Sequence, residues 1–150
     1  MIYIGIDPGK NGGVAVIADD AVCGIQVEAW SDETFVLLMR EMSKYKCVAA
    51  VEKVGAMPGQ GVTSMFSFGQ SYGFILGVLT ALGIGYQLVP PRKWKAEFGL
   101  LNTQKQASVD VARRLFPGVN LKPTGRCRKD SDGMSDALLM AEYARRRFGC

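Results

Sequence analysis

Residues 2–7 form an apolar, β-branched run that carries one acid, Asp7, to its end and then breaks at Pro8-Gly9-Lys10-Asn11-Gly12. A second β-branched run over 12–18 follows at once, so the two predict an antiparallel hairpin with Asp7 at its mouth. The run 22–30, after the Asp19-Asp20 turn, predicts a third strand. Ser31-Asp32-Glu33 then has the form of a helix start, an N-cap serine with acids in the first turn. Phe35, Leu37, Leu38, Met39 and Met42 supply the apolar side of that helix through about Tyr45. The short apolar run 47–52 comes after a helix and predicts a buried strand parallel to the first, again with an acid, Glu52, at its carboxyl end.

A Gly/Pro loop over 55–61 leads to a long helix over 63–82, in which Gly69, Gly73, Gly77 and Ala81 recur every fourth position. Each interior glycine costs a helix about 1 kcal/mol relative to alanine. A one-sided seam of minimal side chains therefore calls for close approach of another backbone, either the protein's own sheet or a second copy of the chain. The last strand, 85–89, stops at Pro90-Pro91. Helices over 92–98 and 103–116, a basic loop over 119–128 and a final helix over 131–148 complete the chain. This order predicts an α/β domain spanning residues 1–150, with a five-stranded mixed sheet: a three-strand meander extended by two parallel strands through right-handed crossovers.

Composition narrows the chemistry. With 48% hydrophobic and 21% charged residues the chain has the makeup of a folded globular protein rather than a disordered one. Its net charge is +4, and nine of the eighteen Lys and Arg fall between Arg113 and Arg147 against four acids there, which points to an anionic partner such as nucleic acid. The absence of histidine removes Ser-His and Cys-His nucleophile pairs. The cysteines, at 23, 47, 127 and 150, form no CxxC pair, which argues against structural zinc and fits free thiols in a reducing cytoplasm. No signal peptide is visible. The longest apolar stretch, 72–86, is shorter than a membrane span and broken by glycines, so no membrane association is expected.

Chemistry is then left to carboxylates. If strands 2–7 and 47–52 are parallel neighbours, Asp7 and Glu52 meet at the crevice where α/β sheets hold ligands. Asp132 and Asp136, four apart, share one face of the last helix and would reach the same crevice if its start packs on the sheet. Converging acids repel and raise one another's pKa unless divalent cations neutralise them; oxygen donors suit Mg²⁺ or Mn²⁺, and a pair of such ions serves in-line phosphoryl transfer to water. The plainer reading gives Asp7 to the turn, Asp132 to a helix cap, Asp136 to solvent and Glu52 to a salt bridge with Lys53 or Lys10.

Ile4-Gly5-Ile6-Asp7-Pro8-Gly9, Val51-Glu52 and Asp132-Gly133-Met134-Ser135-Asp136-Ala137-Leu138-Leu139 resemble the RuvC family of Holliday junction resolvases. Pro91-Arg92-Lys93-Trp94-Lys95, Phe98-Gly99-Leu100, Lys105 with Ser108, and Leu115-Phe116-Pro117 look like its phage and chloroplast branches. The resemblance implies a ribonuclease H-like three-layer fold. It also implies a homodimeric endonuclease that nicks two opposed strands of a four-way DNA junction, working in the cytoplasm of a bacterial cell or phage-infected host. It carries over Asp7, Glu52, Asp132 and Asp136 as catalytic acids holding two Mg²⁺ (or Mn²⁺) ions, with Asp7 shared between them. Two departures stand out. Many bacterial members space the last two acids three apart rather than four, and many place an aromatic wedge beyond the strand acid, where Met57 is here the nearest apolar residue.

The basic residues fit the same picture. Lys10 beside Asp7, Lys53 after Glu52, and Arg126, Arg128 and Lys129 before the last helix are placed to contact phosphates, and Gln60 in the loop 55–61 to touch DNA. Lys10 or Lys129 would also stabilise charge developing in a transition state. Arg145-Arg146-Arg147 read as a solvated helix terminus, and Trp94 as a core anchor for its short helix. Two rivals remain: an actin- or sugar-kinase-like nucleotide-binding fragment, and a non-catalytic branched-DNA-binding protein with structural acids.

Overall fold

The hairpin forms as the sequence indicates: β1 (Ile2–Asp7) pairs antiparallel with β2 (Gly13–Ala18), Ile2 opposite Ala18 and Asp7 opposite Gly13. The structure is a computed structural model and describes residues 1–19 and 24–149. β3 (Ile25–Ala29) continues the meander on β2; the first part of the expected strand 22–30, with Asp20 and Cys23, lies outside the described residues, as does Cys150. β4 (Cys47–Glu52) pairs parallel with β1, and β5 (Gly85–Val89) parallel with β4, giving the strand order β3-β2-β1-β4-β5.

Strict alternation along β1 builds two cores. Ile2, Ile4 and Ile6, with Val14 and Val16, face Phe35 and Met39 of α1 (Asp32–Met42) and Ile75 and Leu79 of α2 (Val62–Ala81). Tyr3, Ala15, Ile17 and Ala50 face the other way. There they meet Trp94 of α3 (Pro91–Glu97), Ala112 of α4 (Lys105–Leu115) and Leu138 and Leu139 of α5 (Asp132–Phe148). The result is three layers, helices on both faces of a five-stranded mixed sheet. Ser31 caps α1 by accepting from the Thr34 N–H at 3.4 Å, and Ser131 caps α5 by accepting from Met134 at 3.1 Å.

α5 lies directly on the hairpin because three glycines leave out side chains. A Cβ at Gly5 would stand 2.0 Å from the Ala137 carbonyl oxygen, and one at Gly133 would stand 1.9 Å from the Asn11 carbonyl oxygen. At Gly13 it would meet the Met134 Cα at 3.0 Å. The α2 seam behaves oppositely: apart from the helix's own neighbouring backbone, no atom lies within 4 Å of a Cβ built at Gly69, Gly73 or Gly77, so the seam does not pack on the sheet. Only Ile75 and Leu79 of α2 are buried, while Val62 and Phe66 are 84% and 69% exposed. The 72–86 stretch also understated this element. As a 20-residue helix, α2 is long and apolar enough by length and composition to cross a membrane, because it begins ten residues before Tyr72.

Candidate active site

Asp7 and Glu52 end two neighbouring parallel strands, whose register runs to Ile6 opposite Val51. Gly133, pressed on the Asn11-Gly12 turn, holds the start of α5 against the hairpin and so brings Asp132 and Asp136 to the same edge. The four carboxylates feel one another. Burial first, then the charges of Glu52, Asp136 and Asp132, push the Asp7 carboxyl up to about 8, with Lys95 opposing. Asp136 is pushed up to about 6 by burial; a hydrogen bond from Ser108 and the charge of Lys95 pull it down, while Glu52 and Asp132 push it further up. The Ser108 hydroxyl also donates to the Lys105 carbonyl at 3.1 Å.

Glu52 takes its hydrogen bond from the buried indole of Trp94, Nε1 to Oε2 at 2.8 Å, rather than from Lys10 or Lys53. Asp132 faces Lys105, Nζ to Oδ2 at 3.7 Å, and is not the α5 cap, a role Ser131 fills. Lys95 and Lys105 thus stand among the acids, lining one cleft with Ser108, Asp132 and Asp136. Charge counting along 113–147 missed them, because they lie outside that run on α3 and α4. The signal available was the Trp94-Lys95 pair, which seats one residue in the core and leaves its neighbour at the site.

Among the described residues, no three acidic or thiol side chains are gathered tightly enough to hold a metal ion. The donor set is nevertheless suited to a hard divalent cation. It is all carboxylate oxygen, and burial, reinforced by mutual repulsion, leaves Asp7 holding its proton near neutral pH, a cost that a cation at the site removes.

The basic candidates divide into groups. Lys10, in the turn after Gly9 at φ +129°, joins Arg128 and Lys129 along an open groove with Trp30 and Cys127 that reaches Asp132. Arg126 is exposed on the same loop without lining that groove. Lys53 is exposed just beyond Glu52, its N–H donating to the Val89 carbonyl at 2.8 Å. Met57 is 68% exposed, and Gln60 ties the loop to itself, its Oε1 accepting from the Met57 N–H at 3.3 Å. The terminal arginines are not simply solvated. Arg145 and Arg146 clasp the buried Glu142, and Arg146 and Arg147 reach Glu97 of α3, because the helix end packs beside α3 instead of projecting free. Cys47 and Cys127 are free thiols.

No family model matches the chain. Over 95 residues it is 39% identical to the chloroplastic Holliday junction resolvase MOC1 of Chlamydomonas reinhardtii; the match takes in 63% of this chain and about a tenth of that protein's length, 10%. Among solved structures it is similar to Thermus thermophilus RuvC, with a TM-score of 0.58 and 18% identity over 97% of this chain and 96% of that one. It is also similar to T. thermophilus RuvC in complex with a Holliday junction substrate, with a TM-score of 0.65 and 16% identity over 99% and 97% of the two chains. The fold is therefore the ribonuclease H-like fold of RuvC, and the expected three-layer architecture holds.

Proposed function

We propose that residues 1–150 form one nuclease domain that cuts four-way DNA junctions by paired, symmetric nicks, acting as a homodimer in the cytoplasm of a bacterial cell or phage-infected host. The observation that carries this reading is the electrostatic coupling of Asp7, Glu52, Asp132 and Asp136 at one sheet edge, beside a groove lined by Lys10, Arg128 and Lys129. The 39% identity to a junction resolvase over 95 residues supports the choice of substrate, and free thiols at Cys47 and Cys127 support a reducing compartment.

In this reading the four acids would hold two Mg²⁺ (or Mn²⁺) ions, Asp7 contributing to both. Bound there, such ions supply an activated water and offset charge on the scissile phosphate. The chain's own residues do the rest. Lys10, Arg128 and Lys129 draw the phosphodiester backbone along the groove, while Lys53 and Arg126 extend the basic surface on either side. Lys95, already acting on Asp7 and Asp136, keeps those carboxyls closer to their ionised form and supplies positive charge beside the acids. Met57 and Gln60, on an exposed loop just beyond Glu52, would be the residues that enter the junction; their exposure supports this. The exposed face of α2, with its open glycine seam, supplies the surface for the second protomer.

The test is cleavage of a labelled synthetic four-way junction, with linear duplex as control, by wild type and Asp7→Asn. Wild type with Mg²⁺ should cut the junction and spare the duplex, and Asp7→Asn should bind it but cut at least about a thousandfold more slowly. An intact junction after incubation with wild type rejects the nuclease and favours a binding protein; ATP hydrolysis without DNA favours the kinase-like alternative.

A further inference from the structure

Trp94 is fully buried, yet its polar edge does not end in the core. Its indole N–H meets the strand-end carboxylate Glu52 at 2.8 Å. The chain path explains how it gets there. Glu52 lies opposite Val89 in the β4–β5 pairing, and α3 begins two residues beyond Val89 at Pro91, so the first turn of α3 passes beneath the end of β4. α3 is then fixed from behind: Glu97 is held by Arg146 and Arg147, and the Arg146 guanidinium lies 5.0 Å from the centre of the Phe98 ring. The ammonium of Lys95 sits 5.5 Å from the centre of the Trp94 ring itself.

A free glutamate side chain turns about three bonds. With Oε2 bound to a rigid donor, Glu52 is confined, and among the described residues its Oε1 has no protein partner. Carboxylates that ligate metals are commonly oriented by such outer hydrogen bonds, whose loss weakens metal binding about 10- to 100-fold. From this geometry we infer that Trp94 is a positioning residue, orienting Glu52 so that its free oxygen is presented to the cation shared with Asp7. The Glu97–Arg146–Arg147 network fixes the helix that carries Trp94. The inference rests on the metal-dependent reading above and adds a residue to it.

The experiment measures Mn²⁺ binding to the DNA-free protein by calorimetry, with thermal unfolding in chelator as a second readout. Four proteins are compared: wild type, Trp94→Phe, Glu52→Gln, and the double variant. Trp94→Phe should weaken Mn²⁺ binding at least about tenfold. In the Glu52→Gln background the same change should have no further effect on Mn²⁺ affinity, whatever it does to the melting temperature. An unchanged affinity in folded Trp94→Phe overturns the assignment, as does an equal loss in both backgrounds, since a merely structural tryptophan acts without reference to Glu52. If phenylalanine leaves the fold loose, benzothienylalanine at position 94 keeps the ring volume, lacks only the N–H, and allows the same comparison. Failure of wild type itself to bind Mn²⁺ brings down the metal-dependent reading and this inference together. A normal wild type with an unaffected tryptophan variant brings down this inference alone.

Discussion

The two long helices use glycine in opposite ways. On α2 the glycines recur every fourth residue, Gly69, Gly73 and Gly77, and no other element comes within contact distance of a Cβ built at any of them. On α5 there is one interior glycine, Gly133, matched by Gly5 and Gly13 on the strands with no repeat at all, and at each of these three a Cβ would run into backbone across the contact between helix and hairpin. Periodicity shows that a helix has a face of small residues; it does not say what covers that face. The closely packed helix is also the one that carries two of the site's acids, so the tight contact serves the site directly. A helix held about one side chain further from the hairpin would carry Asp132 and Asp136 away from Asp7 and Glu52.

The contrast can be broken most severely at Gly5. Gly5→Val should unfold the protein or cost more than about 3 kcal/mol, since the new carbons collide with α5 backbone that cannot move aside. Urea unfolding measures this, and a variant within about 1 kcal/mol of wild type would remove the packing argument. Next in size is a pH effect. Asp7 holds its proton up to about 8 in the fold but only to about 3.8 in the unfolded chain, so the native state binds more protons between those values. Without metal, stability should therefore be greatest below about pH 4 as far as this group is concerned and should fall by several kcal/mol toward pH 8. Melting temperatures in chelator should show the decline; Asp7→Asn should lessen it, leaving the part that Asp136 contributes below about pH 6, and added Mg²⁺ should lessen it too.

Gly73→Leu sharpens the comparison from the other side. On an exposed helix face, leucine in place of glycine should leave stability unchanged or raise it by up to about 1 kcal/mol. The same change should convert dimer to monomer on sedimentation; a dimer of unchanged affinity would take the seam out of the interface. The smallest effect is expected for Arg147→Ala, which breaks a surface ion pair to Glu97 and should cost at most about 1 kcal/mol, with junction affinity in a gel-shift assay unaltered.

Much of this was legible in the residues. Strand ends, the α1 cap and the parallel pairing of 2–7 with 47–52 follow from β-branched runs, Ser31 and an intervening helix, all local or nearest-neighbour signals. Asp7 and Glu52 could be brought together on that basis alone. Features depending on non-local packing were not legible. Nothing in the local pattern near Gly5 or Gly133 reveals which backbone will press on it, and the Trp94–Glu52 hydrogen bond joins residues 42 positions apart. The terminal arginines read as solvated although Glu142, three and four residues before Arg145 and Arg146 on the same helix, was a local signal; only Glu97 is recruited by a helix crossing that no periodicity reports.

A cruciform plasmid offers the most direct test of the central claim, that four acids gathered by α5 against the hairpin drive paired cutting of a junction. A dimer that nicks both opposed strands within one encounter should convert the supercoiled plasmid straight to linear DNA when Mg²⁺ is supplied, with Asp7→Asn producing neither linear nor nicked product. Plasmid left supercoiled by the wild-type protein with Mg²⁺, or cut equally by Asp7→Asn, would contradict it.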